Sequence, residues 1–475
     1  MLEVIYIKKY ISVIIALVTV LSVITITGSV YCSTAVNVPV LMYHDIREGA
    51  VKPSETGVVV TPETFKEQME YLKLAGYHTI NVDQYINFMK NKGSLPADPI
   101  MITFDDGYES GYKYAYPILK QLGMKGVVNV IVSQTKGEPN YHYWPPTHLI
   151  WEQMKEMSDS GVFDIESHTY DLHYYASNGK RNLPAASGQI KINGKLESYD
   201  HYVARVGSDF KRSASMLEKN TGKRVRLLSY PYGVGNATTI RLAKEAGYEA
   251  VFTIKEGVMR PQNDIMMGKR VKVKGTHTGY DIVRNIYKDG GIKTKPPYYD
   301  LEKHWAGKDV IQMMSKGYMK GYPDKTFKPD NPVTRAEMAT MISSVFGVKD
   351  KAAALPFTDV KPDSWYYGSV SSCYAHGLFT YYGTAFRPDA KATREDAAAA
   401  IAPFLPDTAS ADLSSYKDAG EVSQYAKSAI QKAVAAGIIK GRQGGYLSPK
   451  GSVTRAELAV MIERALNLGH DAANL

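Results

Sequence analysis

The sequence predicts a parallel α/β region followed by a small helical region built from repeats. Between residues 38 and 275, short Val/Ile/Leu-rich runs alternate with amphipathic stretches. Alternation of that kind implies parallel strands with covering helices, in a barrel or an open sheet. The residues able to bind a metal or move a proton sit at the C-terminal ends of those runs, the rim where barrels of this class carry out chemistry. Beyond residue 300 a pattern returns every sixty residues. A helical unit that small cannot bury its apolar face alone, so three copies are expected to pack together.

The chain opens on a targeting pattern. Lys8 and Lys9 give a positive start, residues 11–27 form an apolar run, and Ser33-Thr34-Ala35 offers a small-x-small cleavage site. The same run is long enough to stay as a membrane anchor, and that alternative is open. Bulky Tyr31 before Cys32 argues against a lipoprotein. Once 1–35 is removed, no stable membrane association is expected. Cys373 is then the one cysteine left, so the mature chain has no disulfide and leans on core size and a metal. A length of 475 residues predicts two or three domains. The net charge of +9 suits an anionic polymer such as a wall polysaccharide, and no nucleic-acid motif accompanies it. Tyrosine outnumbers phenylalanine 35 to 12, a skew found on carbohydrate-handling surfaces.

Strands are expected at 38–44, 100–104, 126–132, 162–167, 226–230, 250–254 and 270–273. Thr61-Pro62 reads as an N-cap and a first-turn proline, opening a helix that runs to residue 74 and ends before Gly76. Helices over 112–122, 150–158, 202–220 and 238–245 follow the same periodicity. The second strand ends in Asp105-Asp106-Gly107. Adjacent strand residues point to opposite faces, so one carboxylate can hold a metal while the other faces a substrate water. Asp and Gly are also common turn residues, and an ordinary strand-to-loop turn explains them equally well in isolation. His168 and His173 follow the fourth strand, five residues apart, a poor spacing for one helix face but workable for a strand end and its loop. A histidine pair is often merely structural. With Asp106 the two make a His–His–Asp set, which suits Zn²⁺ with positions left open and does not exclude other divalent ions. His44 ends the first strand and Tyr232 follows the fifth.

On these residues the region 38–273 resembles the polysaccharide deacetylases of the NodB homology type, carbohydrate esterase family 4. Thr103-Phe104-Asp105-Asp106-Gly107 is similar to the family's first motif, and His168 with His173 to its second, in the longer form of the poly-N-acetylglucosamine deacetylases. Leu228-Ser229-Tyr230-Pro231-Tyr232-Gly233 is similar to its third, and Val38-Pro39-Val40-Leu41-Met42-Tyr43-His44 to the first strand of that subgroup. The resemblance implies a deformed (β/α) barrel. It further implies that Asp105 is the general base, that Asp106, His168 and His173 hold a divalent ion, most simply Zn²⁺, that the backbone N–H of Tyr232 faces the oxyanion, and that His44 is the general acid. A buried histidine with a backbone partner is the plainer reading of His44. Ser229 stands where commoner members carry an arginine, Arg226 is too far upstream to replace it, and His277 is the only late candidate for the usual acid. A polar excursion over 177–198 reads as a substrate-side loop.

Residues 293–299 read as a linker. Beyond them Gly317, Gly377 and Gly437 are evenly spaced, with Trp305, Trp365 and Tyr425 near each repeat's start. Thr334-Arg335-Ala336-Glu337, Thr393-Arg394-Glu395-Asp396 and Thr454-Arg455-Ala456-Glu457 are capping boxes that open helices. These segments resemble S-layer homology (SLH) modules, an α-rich three-repeat fold. The resemblance implies that Arg335, Arg394 and Arg455 contact an anionic or pyruvylated secondary wall polymer, for which a guanidinium fork suits carboxylates. The plainer alternative has each arginine neutralise its own Glu337, Asp396 or Glu457. The second repeat departs most from the pattern.

The expected layout is a signal peptide at 1–35, a deacetylase domain at 36–292, the linker, and repeats at 300–348, 355–409 and 414–475. The expected protein is a secreted, wall-anchored, metal-dependent deacetylase of an N-acetylglucosamine polysaccharide from a Gram-positive-type bacterium, its polymer not chosen by the sequence. Rivals are an inert wall-bound carbohydrate-binding protein and an enzyme cleaving another amide or ester.

Overall fold

Seven parallel strands close into a barrel in the computed structural model: β1 (Val40–Tyr43), β2 (Pro99–Phe104), β3 (Gly126–Val130), β4 (Phe163–Ser167), β5 (Leu227–Ser229), β6 (Ala250–Glu256) and β7 (Gly268–Lys272). The structure describes residues 36–138, 146–406 and 410–473, so the targeting segment expected at 1–35 lies outside the described residues. Every run expected to be a strand is one. Closure rests on β1, which pairs with β2 (Tyr43 opposite Phe104) and with β7 (Leu41 opposite Val271). The seam is uneven. A single register pair, Leu228 opposite Ser167, links β5 to β4, and the register shifts between β6 and β7.

Helices α1 (Pro62–Leu74), α2 (Val82–Met89), α3 (Tyr116–Leu122), α4 (Trp151–Asp159), α5 (Tyr199–Thr221), α6 (Ala237–Glu245) and α7 (Gly279–Asp289) accompany the strands. Thr61 caps α1 as its sequence predicts, accepting the Thr64 N–H at 3.2 Å. α2 and α7 were not legible beforehand. Val82, Tyr85, Ile86 and Met89 of α2 join Val40, Met101, Val127 and Phe252 in one apolar cluster. Side chains alternate along a strand. Two residues further on from that inward set lie Met42 and His44, Thr103 and Asp105, and Asn129. The barrel is therefore apolar at its base and polar at its C-terminal rim.

The C-terminal region carries α8 (Gly307–Ser315), α9 (Arg335–Val345), α10 (Tyr367–Ala375), α11 (Arg394–Ile401), α12 (Lys427–Ala435) and α13 (Arg455–Ala473). Its three repeats close on themselves. Equivalent residues form a ring: Val333 N–H donates to Val453 C=O (3.0 Å), Val453 to Ala392 (2.9 Å), and Ala392 to Val333 (2.9 Å). The first N–H groups of α9, α11 and α13, which have no partner inside their own helices, reach the next repeat. Arg335, Arg394 and Arg455 N–H donate to Ala390, Gly451 and Asn331 C=O, each at 2.9 Å.

Within the segment 293–299, residues 293–295 are exposed and the two prolines pack against the barrel. Pro296 and Pro297 are buried, and the Tyr71 hydroxyl of α1 donates to Pro297 C=O. α1 lies against α8, and barrel and repeats share one hydrophobic core.

Candidate active site

Four strand ends bring the expected residues to one rim. Asp105 points inward and is almost fully buried. Arg270 of β7 grips it through two parallel bonds, 2.8 Å to Oδ1 and 2.7 Å to Oδ2, and Asn129 of β3 adds a third at 2.8 Å to Oδ1. Burial opposes the charge, but Arg270 prevails and holds the Asp105 carboxyl well below the usual carboxylate range. Arg270 is itself buried, its Nε donating to Thr253 C=O at 2.9 Å. An arginine thus reaches Asp105 from β7 and not from the third motif. Ser229 contributes its carbonyl instead, accepting from His168 Nδ1 at 2.8 Å.

Asp106 takes the opposite direction. Its backbone is left-handed (φ 71°), as is that of Gly107 (φ 76°), so a turn and two diverging carboxylates coexist. A side chain on Gly107 would press on Val130 at 3.2 Å. Asp106 Oδ1 lies 3.4 Å from Nε2 of both His168 and His173. It is buried and makes no hydrogen bond among the described residues. An orphaned buried oxygen between two imidazole nitrogens is what a cation site looks like. Ligand atoms about 2.1 Å from a common centre at tetrahedral angles sit about 3.4 Å apart, so the spacing fits Zn²⁺. The Ser229 carbonyl fixes the His168 tautomer that leaves Nε2 free to ligate. Burial, then the neighbouring His168, pull the His173 imidazole down to about 4, so it is neutral at pH 7.

The loop between these histidines is held by Asp209 of α5, a residue that no motif singles out. Its two oxygens accept the N–H groups of Tyr170 (2.9 Å) and Asp171 (2.8 Å), and burial pushes its carboxyl up to about 7.

His44 follows β1 at the level of Asp105, as the Tyr43–Phe104 register requires. Its Nδ1 is buried without a hydrogen-bond partner among the described residues. Tyr232 has a left-handed backbone (φ 58°), its hydroxyl donates to His173 C=O at 3.2 Å, and its ring lies 4.5 Å from the His173 ring. Tyr108 and His148, also unforeseen, face each other across the rim at 4.9 Å, and Asp106 acts electrostatically on both. His277 is elsewhere, in a cleft of about 670 Å³ lined by Glu67 of α1 and Lys308 of α8.

The repeat arginines do not neutralise their own acids. Arg335 donates to Phe386 C=O (3.2 Å) and its guanidinium lies 3.9 Å from the Tyr382 ring. Arg394 donates to Leu447 C=O (2.9 Å) and Glu457 (3.0 Å). Arg455 donates to Phe327 (3.0 Å) and Lys320 (2.8 Å) carbonyls. Each binds the next repeat around the ring. A cleft of about 200 Å³ opens beside Arg394, lined also by Trp305, Lys440, Arg442 and Arg464.

A profile of polysaccharide deacetylases matches residues 92–251, and one of S-layer homology domains matches 297–339, 356–398 and 415–459. The chain carries a polysaccharide deacetylase domain and three SLH repeats. Its deacetylase domain is similar to a poly-β-1,6-N-acetyl-D-glucosamine N-deacetylase of Staphylococcus epidermidis, 30% identical over 205 residues, 43% of this chain and 64% of that one. The Staphylococcus aureus counterpart is 29% identical over the same shares. The chain therefore spans 64% of the length of the curated relatives it matches. Among solved structures, a de-N-acetylase from Aggregatibacter actinomycetemcomitans aligns with a TM-score of 0.47 at 26% identity, over 53% of this chain and 100% of that one. Among the described residues, no helix is long and apolar enough to cross a membrane.

Proposed function

We propose that the deacetylase domain, over 36–292, removes acetyl groups from N-acetylglucosamine units of an extracellular or wall polysaccharide, while the repeats tether it to the wall. The observation that carries this reading is the orphaned Asp106 oxygen between His168 and His173, beside an Asp105 locked by Arg270. The curated relatives are named for poly-β-1,6-N-acetylglucosamine, which makes that polymer the first substrate to try.

Asp106, His168 and His173 would hold the ion, Zn²⁺ first. Bound there, such an ion lowers the pKa of a water and polarises the acetamide carbonyl. Asp105 takes the proton of the attacking water. Arg270 and Asn129 fix its orientation and keep it in the ionised form that can accept a proton. The Tyr232 N–H faces the oxyanion of the tetrahedral intermediate. His44, with Nδ1 uncommitted, gives a proton of its own to the departing amine, and the proton held by Asp105 is released to solvent when the site resets. C–N cleavage then leaves a glucosamine unit and acetate.

In the repeats, the basic cleft beside Arg394 and exposed Trp305 suits an anionic or pyruvylated secondary wall polymer. Arg335 and Arg455 hold the equivalent positions in the other two repeats. With 1–35 acting as a signal peptide, the protein is secreted and held at the surface of a Gram-positive-type cell, without stable membrane association. The test is acetate release from β-1,6-linked N-acetylglucosamine oligomers, chitooligosaccharides and peptidoglycan, with and without chelator. Release abolished by chelator and by Asp105→Asn supports the reading. No release from any of the three by the metal-loaded protein overturns it.

A further inference from the structure

Between β4 and α5 the chain makes a long excursion, and its first element is a hairpin, Tyr175–Ser177 against Asn182–Pro184, with Tyr175 opposite Pro184. Tyr175 is 55% exposed, and adjacent Tyr174 is 41% exposed. Leaving a large ring in water contributes nothing to folding, since its apolar surface stays wet. The Tyr175 ring lies 4.2 Å from the Tyr232 ring, which lies 4.5 Å from the ring of His173. Three aromatic rings therefore lead from the candidate metal ligand to open solvent. Tyr232 sits in a left-handed conformation that costs a non-glycine residue on the order of 1 kcal/mol or more, a cost that concentrates at functional sites.

The far end of the excursion is braced. Arg205 of α5 donates to Ala185 C=O (3.0 Å) and Gly188 C=O (3.2 Å) while pairing with Glu197 at 2.6 Å. Asn236 Nδ2 donates to Ser187 C=O at 2.8 Å, and Ala185 N–H to Tyr174 C=O at 2.9 Å. An aromatic ring fixed in place before its ligand arrives binds with less entropic loss.

We propose that Tyr175, backed by Tyr232, is the stacking platform for a pyranose ring adjacent to the N-acetylglucosamine unit being deacetylated, and so sets a preference for polymer over single sugars. This rests on the deacetylase reading. The C–H-bearing face of a pyranose is apolar and covers an aromatic ring, while the tyrosine hydroxyl at the ring edge meets the sugar hydroxyls. The subsite belongs to the excursion and not to the motifs that supply the metal ligands.

The test compares wild type, Tyr175→Ala and Tyr175→Phe on β-1,6-linked N-acetylglucosamine oligomers of one to six units, measuring kcat and KM for acetate release. For Tyr175→Ala, KM on the longer oligomers rises roughly five- to tenfold with kcat kept, and the monosaccharide rate is unchanged. Tyr175→Phe stays close to wild type, because the ring does the stacking. An active wild type matched by Tyr175→Ala at every length overturns the subsite. An equal loss of kcat at all lengths overturns it too, and makes Tyr175 a support for Tyr232. A wild type that releases no acetate from any oligomer removes the deacetylase reading itself, and the subsite with it.

Discussion

Replacing Arg270 with methionine tests how the site is built. Arg270 gives Asp105 both of its charge-assisted bonds from within the barrel, and both residues are nearly inaccessible to water. Methionine fills similar space and donates nothing. Asp105 Oδ1 then keeps only Asn129, and Oδ2 keeps no donor. Removing one partner of a buried ion pair costs about 3–5 kcal/mol, a large part of the roughly 5–15 kcal/mol that holds a domain folded. The pH dependence has a definite sign. In the native chain Asp105 titrates below its unfolded value of about 4, so the pair's contribution is present above that pH and lost as pH falls through the lowered value. In Arg270→Met, burial loses its chief opponent and raises the Asp105 pKa, so stability declines as pH rises through the raised value. Urea denaturation from pH 4 to 8 therefore finds this contribution level in wild type and falling with pH in Arg270→Met. The double variant Arg270→Met/Asp105→Asn, which has no buried charge, recovers most of the lost stability. A cost under about 1 kcal/mol, or a double variant no more stable than the single one, refutes the account of this pair.

Asp209→Asn flattens stability against pH: an acid raised to about 7 in the fold loses stability as pH climbs from the ordinary carboxylate range to that value, and the amide cannot titrate. Asp209→Ala also weakens zinc binding by about tenfold or more, read by competition with a chelating dye, because the Tyr170 and Asp171 amides lose their acceptor. Arg455→Ala leaves two carbonyls of the first repeat without their donor and lowers the repeats' stability by about 2 kcal/mol, with weaker retention on purified walls; an unchanged melting temperature contradicts the closed ring. His44→Gln lowers kcat by about a hundredfold or more with metal content and KM unchanged, and full activity returns His44 to a structural role.

Local signals told most of the fold. All seven strands were visible as apolar runs, and the Thr61 cap and the three capping boxes were visible as short motifs, because each depends on neighbours in sequence. Closure was not visible, since it depends on β1 pairing on both edges with segments far along the chain. Plug helix α2 is short, and its apolar residues have meaning only beneath the barrel. At the site, Asp105, Asp106 and the two histidines stood at strand ends. Arg270 was hidden because its partner is 165 residues away. The available signal was a charge at a strand position sharing the inward face. Asp209 looked like the polar side of a long helix until the histidine loop folded over it. The segment 293–299 has a linker's composition, and only the fold shows Pro296 and Pro297 buried.

The central claim is that the two adjacent carboxylates do different work. Zinc content and acetate release, measured side by side on wild type, Asp105→Asn and Asp106→Ala, test it most directly. Asp105→Asn is expected to bind zinc as wild type does yet release no acetate, whereas Asp106→Ala loses zinc and activity together. Zinc lost from Asp105→Asn, or retained by Asp106→Ala, contradicts it.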